Sequence, residues 1–486
     1  MPQAKLLIKD EVNVSIKGLE LDARRRLLNM FKFEVPYARY LPAVRLGRWD
    51  GKVSYFQLGG STYINLLPQI LPVLEEMKYE IDLDDQREYK TKFEFDEVSA
   101  DTFSNKTWPK GHPVAGEKII LRDYQVDIVN NFLSNPQSMQ EIATGAGKTL
   151  VTAALSSITE PYGRSIVIVP NKSLVTQTEE DYVNLGLDVG VFFGDRKEFG
   201  HTHTICTWQS LNILLKNTKN KVAPITIGEF IEGVNCVIVD EVHMAKADAL
   251  KSLLTGPMAT IPIRWGLTGT IPKEDFEFMS LLVSLGEVVG KKSASELQEA
   301  GVLANCEVNV VQLVDHGDYG NYQSELKYLL TDSNRLNYLS KLIGKIGDNG
   351  NSLVLVDRVE SGKELVRRLG DKAVFISGAT KATDRKEHYD EIADVNDKII
   401  VATYGVAAVG INIPRIFNLV LIEPGKSFVR VIQSIGRGIR KAQDKDFVKI
   451  WDITSTCKYA KRHLTKRKNF YKEAKYPFVV EKTQWN

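Results

Sequence analysis

The sequence predicts an α/β protein with two parallel-sheet lobes, preceded by a small α/β N-terminal domain and followed by a basic C-terminal helical tail. Three observations carry this expectation. From about residue 117 to 455, apolar β-rich runs alternate with stretches of helical spacing, the pattern of parallel strands linked by helices. These runs form two groups, divided somewhere between residues 290 and 312. A glycine-rich loop at 143–149, ATGAGKT, stands where the first group passes from a strand to a helix.

Taken in order, residues 5–16 read as two short strands about an acidic turn, and 19–31 have helical spacing at Leu21, Leu27, Leu28 and Phe31. A turn at 47–51, a strand at 53–56 and a helix at 66–77 complete a module ending near residue 85. The stretch 86–116 is charged, holds Pro109, Gly111 and Pro113, and reads as a linker. Strands are expected at 140–143, 165–170, 203–207, 234–240 and 264–267, then at 352–357, 373–377, 398–402, 418–422 and 448–452. The resulting domains are 1–85, the linker 86–116, a first lobe 117–300, a second lobe 301–455 and a tail 456–486.

A chain of 486 residues has room for about three domains of roughly 100–200 residues each. A hydrophobic share of 43% with 26% charged residues excludes a disordered or fibrous chain. Cys206, Cys236, Cys306 and Cys457 are far apart and form no C-x-x-C, against a disulfide framework or a cysteine zinc site; buried free thiols are expected. No apolar run approaches the roughly 20 residues that span a bilayer, so no membrane association is expected. The first ten residues lack the features of a secretion signal, and a cytoplasmic location follows as the expectation.

The net charge of +2 conceals a polarity. Residues 1–60 carry 11 Lys/Arg against 6 Asp/Glu, and residues 61–112 carry 6 against 11. From Ser455 onward there are 9 against 2, interleaved with Tyr459, Phe470, Tyr471, Tyr476, Phe478 and Trp485. Such a tail either attracts polyphosphate and stacks on bases or forms a helix with a solvated charged face.

The loop at 143–149 suits phosphate. Thr144, Gly145, Ala146 and Gly147 bend the backbone so that N–H groups meet phosphate oxygens, Lys148 neutralises the β/γ-phosphates, and the Thr149 hydroxyl can ligate Mg²⁺. The strict pattern wants glycine at 142, where this chain has Ile142. At 237–243, VIVDEVH, an apolar strand delivers two carboxylates at its carboxyl end: Asp240 to hold Mg²⁺ through water, Glu241 to orient the attacking water. At 433–440, QSIGRGIR, Arg437 and Arg440 are three residues apart and project from nearly one face of a turn, the residue type that shares charge on a transferring phosphate. His201 and His203 lack further ligands and read as structural.

Together these residues resemble superfamily 2 helicases of the DExH type, over roughly 117–455 and in the family order. LRDYQ at 121–125 resembles the adenine-reading Q motif, with Gln125 as reader and Arg122 nearby; 142–149 resembles motif I; 168–177 motif Ia; TWQSL at 207–211 motif Ib; DEVH at 240–243 motif II. TGT at 268–270 resembles motif III, 352–362 motif IV, 402–414 motif V and 433–440 motif VI, with Asn412 where motif V often has aspartate. The resemblance implies two RecA-like lobes with ATP between them. Lys148, Asp240 and Glu241 would act from the first lobe and Gln433, Arg437 and Arg440 from the second, with Gly410 also at the nucleotide. His243, Thr268 and Thr270 would couple nucleotide state to the strand path, while Pro170, Gln177, Thr207 and Thr403 would hold DNA. A solitary His243 also fits a structural role.

RLGRWDGK at 45–52, with Tyr37, Arg39 and Tyr40 before it, is similar to the start of phage UvsW-type branch-migration helicases. That similarity implies that Arg45, Arg48, Trp49 and Lys52 meet branched DNA, forks and four-way junctions, in the host bacterial cytoplasm during replication, recombination and repair. Trp49 is either a wedge or the aromatic anchor of a small core. An RNA helicase and an ATP-switched nucleic-acid clamp remain alternatives. A restriction-enzyme motor is weakened by the lack of a nuclease-like stretch. The expected assembly is a monomer or a transient oligomer, and no partner protein is legible.

Overall fold

The computed structural model describes the chain except residues 1, 89–92, 110–114, 223, 243–246, 379, 381–387, 389–394, 407–414, 426–444 and 486. Its contacts separate two compact units, Met1–Ile142 with Gly147–Lys291, and Ala143–Ala146 with Lys292–Asn486.

The first unit opens with strands Gln3–Ile8 and Asn13–Lys17, paired antiparallel around a turn that Asp10 closes. One oxygen of Asp10 accepts the N–H groups of Val12 and Asn13 at 2.9 and 2.6 Å, a short acidic side chain standing in for backbone partners. Ser61–Tyr63 and Glu80–Asp85 flank these strands in a four-stranded sheet. Helices Leu21–Met30 and Leu67–Glu76 bury Ala23, Leu27, Ile70 and Leu74 in its core. That core does not end with the module. Phe276, Met279, Leu282 and Val283, from the helix Asp275–Leu285, belong to the same apolar cluster. The Tyr55 hydroxyl donates into this seam, 3.0 Å from the Phe276 carbonyl and 2.7 Å from Ser280 Oγ. The N-terminal module is therefore built into the first lobe.

The first lobe is an eight-stranded sheet in the order Arg196–Lys197, Val189–Phe193, His203–Thr207, Arg164–Val169, Val234–Asp240, Ile263–Thr268, Gln137–Ile142, Glu287–Lys292. From Val189–Phe193 to Gln137–Ile142 the paired strands run parallel, and Arg196–Lys197 joins Val189–Phe193 as an antiparallel hairpin. Val234–Asp240 is buried at every position, as expected of a central parallel strand covered on both faces. His203 donates or accepts at Ser165 Oγ, 2.7 Å away, and His201 sits 2.7 Å from Asp188, which gives both histidines structural partners.

The second lobe is a seven-stranded, all-parallel sheet in the order Ala373–Ile376, Ile399–Thr403, Ser352–Val356, Asn418–Ile422, Phe447–Ser455, Asn305–Leu313, Phe478–Thr483. The C-terminal segment corrects the expectation of a purely helical tail. Helix Lys458–Glu473 crosses over and returns the chain as a strand paired with Asn305–Leu313, closing one edge of the sheet. Its aromatics pack inward. Tyr471 and Tyr476 are buried, Tyr471 meets Phe478 at 5.8 Å between ring centroids, and Trp485 meets Tyr338 at 6.0 Å. Tyr471, Tyr476 and Trp485 thus serve the core, while Tyr459 and Phe470 stay half-buried.

Beneath that helix lies a buried charged network. Arg467 forks onto Asp452 at 2.8 and 3.0 Å and donates to the Gly425 carbonyl at 2.8 Å, while the Tyr471 hydroxyl donates to Asp452 at 2.7 Å. Arg335 donates to Glu423 at 2.8 Å, and Thr454 donates to the other Glu423 oxygen at 3.1 Å. Burial pushes the Glu423 carboxyl up to about 7, against the downward pull of Arg335 and Arg467. Among the described residues no helix is long and apolar enough to cross a membrane. All four cysteines are free and buried.

Two outcomes follow from this network. Arg467→Met strands the Asp452 charge and should cost about 3–5 kcal/mol, read as a fall in the urea midpoint. Between 4.5 and about 7 the unfolded chain releases the Glu423 proton while the folded protein keeps it, so this group makes stability fall as pH rises through that window. Glu423→Gln should flatten the melting temperature against pH over that range, and an unchanged slope would refute the assignment.

Candidate active site

The phosphate loop follows strand Gln137–Ile142 and opens helix Lys148–Thr159. Ile142, the departure from the strict pattern, is the buried last residue of that strand, where an apolar side chain serves the core. Gly145 and Gly147 have φ of +91° and +78°, the left-handed region that glycine enters without steric cost. Gly147 carries a second constraint, because a Cβ there would lie 2.6 Å from Gln125 Nε2. Gln125 thus packs directly on the loop. Its Oε1 accepts the Arg122 N–H at 3.0 Å, within a capping box that starts helix Asp123–Ser134, and Arg122 donates to the Tyr124 hydroxyl at 3.1 Å. No side chain caps helix Lys148–Thr159 at Gly147, and a helix start of this kind presents backbone N–H groups and a positive dipole to phosphate.

Lys148 is nearly buried and makes a 2.6 Å ion pair with Glu241 Oε1, and its ammonium lies 3.4 Å from the Ile142 carbonyl. The other Glu241 oxygen accepts the Gly269 N–H at 3.3 Å. One carboxylate therefore touches the phosphate loop and the 268–270 segment together. Glu241 holds φ at +50°, unusual for a residue with a Cβ, and the preceding Asp240 fixes it by accepting its N–H at 2.9 Å. Thr268 and Thr270 tie the neighbouring turn: Thr268 Oγ1 donates to the Thr270 carbonyl at 2.9 Å and accepts the Thr270 N–H at 3.2 Å. The Thr270 hydroxyl is buried with no hydrogen-bond partner among the described residues.

These residues fit a magnesium nucleotide. Glycine at 147 lets the backbone turn at the helix start, where N–H groups face an anion, and Lys148 offers one cation. The Thr149 hydroxyl and buried Asp240 carboxylate are hard oxygen donors of the kind Mg²⁺ takes once or twice from protein, completing its shell with phosphate and water.

A second group of predicted residues meets at the carboxyl ends of two adjacent parallel strands. Thr207 ends His203–Thr207 opposite Val169, beside Pro170. Gln209 Nε2 donates to the Pro170 carbonyl at 3.1 Å, joining the two segments. The Thr207 hydroxyl accepts the Ser210 N–H at 3.3 Å as a helix cap. Gln177 is half-buried on helix Lys172–Asn184. The structure adds Asn171 and Trp208, whose Nδ2 and Nε1 are buried donors with no partner among the described residues. Their signal in the sequence was position alone, one residue beyond Pro170 and Thr207. Thr403 ends a strand of the second lobe, Ile399–Thr403. His243, Gly410, Asn412, Gln433, Arg437 and Arg440 lie outside the described residues.

In the N-terminal module Arg45, Arg48 and Lys52 are exposed. Of the two roles open to Trp49, the structure supports the anchor. Its ring packs half-buried against the module core and its Nε1 donates to the Lys52 carbonyl at 2.9 Å.

Two family models match the lobes: residues 118–273 match the type III restriction enzyme res subunit, and residues 334–442 match the helicase conserved C-terminal domain. The chain carries both RecA-like lobes of a superfamily 2 helicase. It is 26% identical over 456 residues to the ATP-dependent DNA helicase uvsW of Enterobacteria phage T4, covering 89% of this chain and 86% of that one. This span reaches beyond the two lobes, so the likeness takes in N-terminal residues as well. It is 24% identical over 378 residues to the putative helicase 22 of Sulfolobus islandicus filamentous virus, covering 72% of this chain and 67% of that protein. Among solved structures, a fragment of a putative HsdR subunit of a type I restriction enzyme from Vibrio vulnificus YJ016 shares the fold, with a TM-score of 0.55 and 19% identity over 74% of this chain and 68% of that one.

Gly147→Ala should weaken nucleotide binding by about tenfold or more, since an alanine in the left-handed region costs about 1–2 kcal/mol before the clash with Gln125 is counted. Titration with a fluorescent ATP analogue checks this, and unchanged affinity would contradict the role given to the loop.

Proposed function

We propose that this protein is an ATP- and Mg²⁺-dependent DNA helicase or translocase of the DExH type, which unwinds or branch-migrates forked and four-way-junction DNA in phage replication, recombination and repair. The observation that carries the ATPase reading is the convergence of Lys148, Glu241 and the Gly269 N–H, at 2.6 and 3.3 Å. DNA as the track rests on the likeness to the phage T4 helicase, whose name gives that activity. Its setting would be the cytoplasm of an infected bacterium.

In this reading Gln125 and Arg122 sit at the adenine, and Lys148 holds the β/γ-phosphates with the loop N–H groups. Thr149 and Asp240 would hold Mg²⁺, which when bound neutralises charge developing on the phosphates. Lys148 then has an anionic partner other than Glu241. That frees one oxygen of Glu241 to orient the attacking water while the other keeps its hold on Gly269 N–H. Gln433, Arg437 and Arg440 would come from the second lobe, and His243, Thr268 and Thr270 would relay nucleotide state. Pro170, Gln177, Thr207 and Thr403 would hold strand phosphates. The working domains are the module 1–85, its linker and two lobes, with Arg45, Arg48 and Lys52 facing the branch.

Lys148→Ala and Glu241→Gln should each abolish ATP turnover, with losses of at least about a thousandfold, comparable to losing a principal electrostatic stabiliser. Turnover retained in either variant would sink the site. ATPase rates with single strands, duplex, a four-way junction and structured RNA, each with a strand-displacement gel, test the substrate. The junction should stimulate most; stimulation by RNA alone would discard DNA.

A further inference from the structure

Helix Lys458–Glu473 folds against its own electrostatics. It has no acidic residue in its first turn, where the helix dipole favours one, and carries Lys458 and Lys461 there instead. Lys458, Lys461, Arg462, Lys466 and Lys472 lie exposed along one face, many at i,i+3 or i,i+4, where each like-charge pair costs about 0.2–0.5 kcal/mol. Among the described residues none of these five makes an ion pair. The contrast lies on the same lobe, where Arg367 and Arg368 share Glu364 at 2.7 and 2.8 Å, and Lys372 reaches Asp348 at 3.3 Å.

What holds the helix comes from beneath. Glu325, almost fully buried on the neighbouring helix Tyr322–Thr331, accepts the N–H groups of Tyr459 and Ala460 at 3.0 and 2.7 Å. Arg467 locks the middle turn onto Asp452. The cap and the fork fix the helix by its inner face and leave the cations outward. At its N-terminal end the stripe borders a cleft of about 570 Å³, with Lys458, Lys461, Arg462 and Thr465 on one wall and His316 and Asp318 on the other.

We propose that this outer face is a track for the sugar-phosphate backbone of duplex DNA, bound by charge alone. It rests on the DNA reading above and specifies a surface which that reading does not. From Lys458 to Lys472 the stripe runs for about 20 Å at 1.5 Å per residue, long enough to follow several successive phosphates. Tyr471 and Tyr476 are buried and Trp485 packs on Tyr338, while the half-buried Tyr459 has Lys458 and Arg462 over its ring at 5.8 and 5.9 Å, so the stripe offers phosphate-seeking cations and no run of open aromatic faces among the described residues.

The test is the affinity of the full chain for a 30-base-pair duplex, longer than the stripe, by fluorescence anisotropy across a series of KCl concentrations. Lys461→Gln/Arg462→Gln/Lys466→Gln should weaken binding about tenfold or more and reduce the slope of log K against log[salt] by about two to three, near 0.9 for each phosphate contact. Lys461→Arg/Lys466→Arg should keep the slope. Lys341→Gln/Lys345→Gln/Lys363→Gln, with the same loss of charge elsewhere on the lobe, should also keep it. Thermal melting of each variant reports folding. An unchanged slope in the first variant overturns the proposal, as does an equal loss in the third, which would mean net charge alone. If the parent binds no duplex, the DNA reading falls and the track with it; if the parent binds and the first variant matches it, only the track falls.

Discussion

The ion pair between Lys148 and Glu241 is the interaction around which the first lobe is arranged. Two ionised side chains are held nearly out of solvent, which is expensive unless each satisfies the other and is further hydrogen-bonded. Both conditions hold: the pair is at 2.6 Å, and the second carboxylate oxygen is taken by Gly269 N–H. The arrangement needs a loop that brings Lys148 back toward the strand ends, hence glycine at 145 and 147. It needs a residue at the end of Val234–Asp240 turned sharply enough to face that loop, hence the left-handed backbone at Glu241. A polyphosphate is the natural competitor for Lys148, and Glu241 has somewhere to go when displaced, because its hold on the 268–270 turn does not depend on the lysine.

That turn leads directly into the helix Asp275–Leu285, and the N-terminal module is built on this helix. Phe276, Met279, Leu282 and Val283 complete the module's core, and Tyr55 seals the seam with hydrogen bonds to the helix. Tyr37 adds a 2.6 Å hydrogen bond to Asp248, on the helix Ala247–Leu254, a few residues after Glu241. Close-packed interiors transmit displacement because they have little room to absorb it. A module with its own closed core could pivot on a linker; one that shares its core with the helix after the 268–270 turn has to follow that helix. The basic residues Arg45, Arg48 and Lys52 therefore ride on the ATPase lobe.

Much of this was legible because parallel strands announce themselves. His203–Thr207, Val234–Asp240 and Asn418–Ile422 are short apolar runs closed by polar residues, and their limits follow from that contrast. The edges were not legible. Glu287–Lys292 and Phe478–Thr483 mix valines with charges and stay partly exposed, so neither gives a continuous run nor a clean alternation. The phosphate loop and its carboxylate partners could be read from residue type and order, but the contact of Gln125 with Gly147 could not, since it joins side chains from separate elements. Trp49 was ambiguous for a physical reason: an indole ring suits a small core and a wedge equally, and only its packing and its hydrogen bond to Lys52 separate the two.

The buried arginines escaped sequence reading altogether, and they explain how the lobes are held. Arg264, fully buried in the first lobe, donates to the carbonyls of Leu254, Met258, Ile261 and Ser284, tying the end of one helix and the end of another to a strand. Arg335 and Arg467 do comparable work in the second lobe through Glu423, Asp452 and backbone carbonyls. A guanidinium suits this because its fixed fork of five donors can satisfy several carbonyl ends at once, where apolar packing would leave them unpaired. Pattern reading assigns arginine to the surface by default, so charge counted along the chain mixes two populations with opposite roles. Arg467 stands among the cations of Lys458–Glu473 in the sequence, yet it faces the core and holds that helix down, while Lys458, Lys461, Arg462, Lys466 and Lys472 face outward with no ion pair among the described residues. Separating the two leaves a smaller basic excess than the sequence suggests, concentrated on one rigidly anchored face.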